Sequence, residues 1–195
     1  MGMIITKQVI KYRQKAKLTQ MQLAKQVGTD IAKIAKELKI NEIVFERLSK
    51  IPNLKILAPQ HQDRLGVFSF YINDLHFNLG VKILNDKFGI QTRGGCSCAG
   101  TYGHYLLHVD QEMSNDLVCQ ITSGDLIKKP GWIRMSIHPT TTTQEIIYVC
   151  NSIKELATNH LEWTKEYVYN AKTNEFNHQK AQFKEKELVS SWFSI

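Results

Sequence analysis

Two thiols stand one residue apart in RGGCSCAG, Arg93 to Gly100, in a run where most neighbours have little or no side chain. Cys96 and Cys98 can do three things there. A thiolate on a small-residue loop can act as a nucleophile, because glycine and alanine leave it exposed and free to swing. The pair can be inert and simply fill space. Or Cys96 and Cys98, with His104 and His108 four residues apart on an expected helix, can offer two thiolates and two imidazoles to zinc. The usual cysteine spacing at zinc is wider than one residue, so no metal is assigned. The other two cysteines, Cys119 in DLVCQI and Cys150 in IIYVCNSI, lie in apolar helical runs and read as core.

Composition limits the setting in which these thiols work. The chain has 195 residues, of which 43% are apolar, enough for one domain with a sizeable core or one domain and a small appendage. No apolar run is long enough to cross a membrane, and the first residues lack the pattern of a secretory signal, so the expected location is the cytoplasm. Four cysteines in such a chain suggest chemistry or packing rather than a disulfide frame.

The net charge of +7 lies entirely in the first fifth of the chain: residues 1–40 hold nine Lys and Arg against Asp30 and Glu37, and the remainder balances at sixteen of each sign. That shift suggests a separate basic segment over 1–40, with a boundary near Asn41. The segment alternates apolar and basic residues at helical spacing and predicts two or three short helices. Leu18-Thr19-Gln20, Leu23-Ala24, Val27-Gly28 and Ile34 resemble the first half of a lambda-repressor-like helix-turn-helix. In that reading Gly28 makes the turn, and Lys33 and Lys36 meet DNA. The alternative is a solvated amphipathic lead-in, and nucleic acid is the less favoured partner.

From residue 41 the pattern predicts an α+β domain, in the α/β class overall, ending near residue 178. A helix over NEIVFERLSKIPNL carries Ile43, Val44 and Leu48 on one side and stops at Pro52. Strands follow near Leu54–Leu57 and over GVFSFYI, then a helix with Phe77, Val81, Leu84 and Phe88 in register, ended by Gly89. A short strand over Ile90–Arg93 delivers the thiol loop, and a helix begins near Tyr102. WIRMSI alternates as a strand with Arg134 and Ser136 on one face. Thr142 or Thr143 caps a long helix to Trp163, and EYVYNAKTNEFNH forms a hairpin turning at Lys172–Asn174. Residues 179–195 form a charged tail.

GIQTRGGCSCAG with YGHYLL, then PGWIRMSIHPTTTTQEI, then EYVYNAKTNEF resemble, in order, the C-terminal small domain of class V aminotransferases. This pyridoxal-phosphate family includes cysteine desulfurases and selenocysteine lyases. The resemblance covers roughly residues 41–178. It implies a short mixed or antiparallel sheet packed with helices, as in the small domain of a fold-type-I pyridoxal-phosphate enzyme, a homodimer, and cysteine or selenocysteine as substrate.

It also assigns roles. In the desulfurase branch an Arg-x-Gly-x-x-Cys loop supplies the nucleophile, which places Arg93, Gly95 and Cys98 on that pattern. Cys98 would take sulfur from a cofactor-bound cysteine as a persulfide, and Cys96 would relay sulfur or act as filler. Gly94, Gly95 and His104 would line the cofactor side of the loop, with Arg93 favouring the thiolate and facing substrate. Arg134, in G-W-x-R-x-S, would anchor the substrate carboxylate, since a planar guanidinium can hold it with two parallel hydrogen bonds.

The chain departs from the family pattern at an essential residue. The cofactor lysine commonly follows a histidine, and none of the seven histidines here precedes a lysine. The large domain that carries it cannot fit into the residues before the match, so the expectation is a truncated or split enzyme that does not bind pyridoxal phosphate covalently by itself. A large-domain partner would complete it. The other readings are a DNA-binding regulator with a non-catalytic aminotransferase-like domain, and an inactive remnant. Thr101 and Tyr105 stand where a proline and a basic residue are expected.

Overall fold

The computed structural model describes Gln22 and residues 31–96, 100–171, 173–180 and 190–192. Apart from Gln22, the part of the possible helix-turn-helix up to its turn at Gly28 lies outside these residues, as does the thiol of Cys98.

Helix α1 spans Ile31–Leu48. Ile40, Val44, Phe45 and Leu48 recur at helical spacing and are all buried. The helix therefore extends well before Asn41 and crosses that position without a break. Asn41 is itself buried and donates from its side-chain amide to the carbonyl of Arg64. After Leu48 the chain turns through Ser49 and Lys50 to buried Ile51, and Pro52 cannot continue a helix.

Four strands follow in a single antiparallel sheet: β1 (Leu54–Ile56), β2 (Val67–Ile72), β3 (Arg93–Gly95) and β4 (Trp132–Ser136), in the spatial order β1-β2-β4-β3. Its register separates the two faces. Ile56 pairs with Phe70, Phe70 with Ile133 and Ile133 with Gly94, while Phe68 pairs with Met135. Partners share a face, so Phe68, Phe70, Ile133 and Met135 all point inward, and all are buried.

Three helices cover that inner face: α1, α2 (Phe77–Phe88) and α5 (Thr143–Trp163). Ile83 and Leu84 of α2 and Ile146, Ile153 and Leu156 of α5 close the core against Val44 and Leu48. Phe45 meets Phe68 edge-on with ring centroids 5.4 Å apart. Gly89 ends α2 with φ 66°. Thr142 starts α5 with a capping box: its Oγ1 accepts from the Glu145 amide at 3.2 Å, and the Glu145 carboxylate accepts from the Thr142 amide at 2.7 Å. The hairpin of β5 (Tyr167–Asn170) and β6 (Glu175–His178) packs on α2, where the Asn78 side chain donates to the Asn174 carbonyl at 2.6 Å.

Between β3 and β4 the chain makes an excursion through α3 (Gly100–Leu106) and α4 (Gln111–Thr122). α4 buries only Leu117. That corrects the placement of Cys119, which is exposed. It sits two residues from Leu117, roughly 200° round the helix and so on the opposite side. Cys150 is core as expected, and its burial pushes its thiol pKa up to about 11. No helix among the described residues is long and apolar enough to cross a membrane.

Candidate functional site: an arginine pair beside the thiol loop

The outer face of the sheet carries the polar row. Ser69 of β2 pairs with Arg134 of β4, and Arg134 pairs with Arg93 of β3, so the three side chains stand side by side on one face. Arg93 is exposed and Arg134 half-buried. Neither has an acidic partner within ion-pair reach among the described residues. Directly opposed side chains in an antiparallel pair start only about 5 Å apart.

The strand that carries Arg93 is not where periodicity puts it. The expected strand over Ile90–Arg93 is corrected to Arg93–Gly95: β3 forms where β4 offers a free edge, through backbone groups that need no particular side chains. Gly94 and Gly95 are thus strand residues with different surroundings. Gly94 faces α2, where an added Cβ would come within 2.9 Å of both the Phe77 ring and the Asn78 Oδ1. Gly95 has φ 114°, a conformation that side chains rarely adopt, and pairs with Trp132. It turns the chain out of the sheet into Cys96.

Helix α3 then folds back over Trp132, which is 4% exposed, and a Cβ on Gly103 would touch that ring at 3.4 Å. Cys96, His104, Leu107, Ser114, Leu117 and Ile121 are among the residues lining a cavity of about 170 Å³ under the excursion. His104 Nδ1 lies 3.5 Å from Ser114 Oγ. The expectation that His104 and His108 share one helical face is corrected: α3 stops at Leu106, and exposed His108 sits in the following turn with φ 54°. The 3.6-residue period that would align them ends before it reaches His108. Among the described residues no three His, Cys, Asp or Glu side chains gather as a metal site.

A larger groove of about 600 Å³ runs between α2 and the β5-β6 hairpin, lined by Asn78, Asn85, Thr92, Asn174 and Asn177. Lys82 borders it and is paired with Asp86 at 3.3 Å. Pyridoxal phosphate needs a lysine for its aldehyde, an acid for its ring nitrogen and donors for its phosphate. The larger groove holds a lysine, an acid and polar donors, Lys82, Glu175, Gln91 and Thr92 among them, but its lysine is paired with Asp86 and offers no free amine, while the smaller cavity has largely apolar walls with Lys129 as its one lysine. Neither of these two cavities therefore presents a free amine placed to take the cofactor's aldehyde.

Sequence reasoning singled out Arg93 and Arg134 but not their pairing, nor Ser69 beside them. Ser69 gives no local signal beyond its place in β2. Trp132, which positions α3, was visible only as part of the G-W-x-R-x-S stretch.

The sequence matches the aminotransferase class-V family over residues 4–149, a stretch that begins inside the basic segment and runs through Asn41. The chain belongs to the class-V aminotransferase family, whose members are generally pyridoxal-phosphate enzymes. Among solved structures it is similar to an apo cysteine desulfurase from Thermococcus onnurineus NA1, with 21% identity and a TM-score of 0.44 over 64% of this chain and 26% of that one. It is also similar to the cysteine desulfurase CsdA from Escherichia coli, with 17% identity and a TM-score of 0.39 over 69% of this chain and 28% of that one. The chain thus spans about a quarter of the length of each. No match was found among curated protein sequences.

Proposed function

We propose that this chain is the small-domain part of a cysteine-desulfurase-like class-V enzyme, and that it acts with a large domain that holds the pyridoxal phosphate. Arg134 anchors the carboxylate of a cysteine or selenocysteine substrate. Cys98 accepts the sulfur. The observation that carries this reading is Arg134 itself: half-buried on the outer face of the sheet, without an acidic partner among the described residues, and one strand away from the segment that leads into the thiol loop. A guanidinium in that position attracts a carboxylate brought from outside.

The chain's own residues divide the work. β4 fixes Arg134 in the centre of the sheet between β2 and β3, so the anchor cannot drift. Gly95 redirects the backbone into the loop, which leaves Cys98 on a short tether of small residues. The substrate docks through its carboxylate and its sulfur leaves on the loop thiol.

Sulfur acceptance can be tested without the cofactor. Purified chain is mixed with cysteine persulfide, so that the Cys98 thiolate takes the outer sulfur to become Cys98–S–SH and cysteine leaves as its thiolate. Mass spectrometry of trapped peptides is expected to find the persulfide on Cys98, with faster transfer from cysteine persulfide than from cysteamine persulfide, which lacks the carboxylate. Arg134→Gln should remove that preference. Equal labelling of Cys98 and exposed Cys119 would overturn the assignment.

A further inference from the structure

The excursion between β3 and β4 encloses a space that the proposed sulfur transfer does not use. Its cavity of about 170 Å³ has Leu107, Leu117 and Ile121 among its walls, together with Cys96, His104 and Ser114. We infer that this cavity is a binding site for a small uncharged molecule, the size of one aromatic ring, carrying a single hydroxyl or similar group that meets His104 and Ser114. The inference goes beyond the reading above and does not depend on it.

Size, wall chemistry and access support it. An apolar cavity of about 150 Å³ takes up benzene, so the volume here suits a single ring. Water is a poor occupant, because each molecule needs about two to four polar partners. Among the described residues these walls offer as polar side chains only His104, Ser114 and Lys129, besides the weakly bonding Cys96 thiol. His104 Nδ1 and Ser114 Oγ lie 3.5 Å apart, longer than a well-formed hydrogen bond, so both can turn to a hydroxyl placed beside them. A charge brought in would lose its water against Leu107, Leu117 and Ile121, which selects a neutral ligand. Access is at α4: Val118 and Ile121 line the cavity and are also exposed, so its mouth opens beside them. α4 has contacts to gain from an occupant, since Leu117 is its one buried residue and atoms around an empty space lack neighbours on one side. On α3, buried Gly103 lies close against Trp132 and gives the site a fixed wall.

Phenol is the probe, with toluene, 1-naphthol and benzoate as controls for hydroxyl, size and charge. Each is titrated into the full chain while the methyl signals of Leu117 and Ile121 are followed by NMR. Alkylation of Cys96 is read by tandem mass spectrometry in the Cys98→Ser variant. Phenol is expected to shift both sets of methyl signals saturably and to slow the alkylation of Cys96, while Cys119, on the other side of α4, keeps its rate. Ser114→Ala should weaken phenol about fivefold, the scale of one net hydrogen bond, and leave toluene unchanged. 1-Naphthol and benzoate should give no saturable shift. Ser114→Leu fills the space and should abolish phenol binding; circular dichroism checks that this variant folds, and if it does not, Ser114→Ala decides. The proposal is overturned by the absence of a saturable phenol shift, by equal protection of Cys96 and Cys119, or by benzoate or 1-naphthol binding as tightly as phenol. It is equally overturned if phenol binds folded Ser114→Leu as it binds the wild type, or if Ser114→Ala affects phenol and toluene alike.

Discussion

Arg93 and Arg134 are direct partners across the β3–β4 pairing, so a cationic pair replaces what would ordinarily be a neutral or oppositely charged one. Like charges directly opposite each other in an antiparallel pair are destabilising. Arg93→Gln should therefore stabilise the free protein, by about 0.2–1 kcal/mol. The gain should shrink in high salt, where the wild-type repulsion is already screened. Urea unfolding at low and high ionic strength measures both. A variant less stable than wild type at low salt would show that Arg93 has a favourable partner.

The thiols should rank by exposure and ionisation. Cys150 is buried, with its pKa pushed up to about 11, which leaves roughly one molecule in ten thousand as thiolate at pH 7, against a few per cent for an ordinary thiol. Alkylation of the native protein, followed by peptide mass spectrometry, should therefore modify Cys98 first, exposed Cys119 more slowly, and Cys150 at least about a hundredfold more slowly than Cys119. Cys150 keeping pace with Cys119 would contradict the packing of α5.

Gly94 tests how closely α2 lies on the sheet. Ala at this position places a methyl group 2.9 Å from the Phe77 ring and from Asn78 Oδ1, so one of them must move. The expected cost is about 1–3 kcal/mol in urea unfolding. No loss would mean that α2 can shift freely over β3.

His76 gives stability a pH dependence. It caps α2, with Nδ1 accepting from the Asn78 amide at 3.1 Å, and its ring stacks on Phe77 at 4.5 Å with Phe176 nearby. Burial lowers its pKa, outweighing a backbone hydrogen bond to Leu126 that works the other way. The folded state thus binds this proton more weakly than the unfolded state. Its contribution is complete above the unfolded value of about 6.5 and is lost as pH falls below it. Thermal unfolding at pH 7.5 and 5 should show a steeper loss for wild type than for His76→Asn, which retains a capping acceptor but cannot titrate. Parallel losses would sink this account.

The sequence disclosed elements whose signals are local. Gly89 after a periodic run, Thr142 three residues before Glu145, and the alternation of WIRMS each lie within a few residues, and each appears in the structure as read. The hairpin was legible for the same reason. Features set by distant pairing were not. β3 is defined by β4 some forty residues later, so its place and the opposition of Arg93 to Arg134 depend on a register that no short window contains. Cys119 shares an apolar run with Leu117, but which residue of a helix is buried depends on what the helix packs against. α4 packs little of itself away, and the run misleads. The identity of Arg134 as a residue of interest came from the resemblance of its surroundings to a family, and its place opposite Arg93 came from the sheet.

The two outermost strands of the sheet have a bearing on how copies of this chain behave towards one another. β1 and β3 are three residues each; one carries Lys55 at its centre, and the other consists of an arginine and two glycines. Short, charged margins of this kind make poor templates for a foreign strand, because few backbone groups are left in line and each approaching chain meets a cation. The cationic margin thus guards the molecule against runaway edge-to-edge stacking.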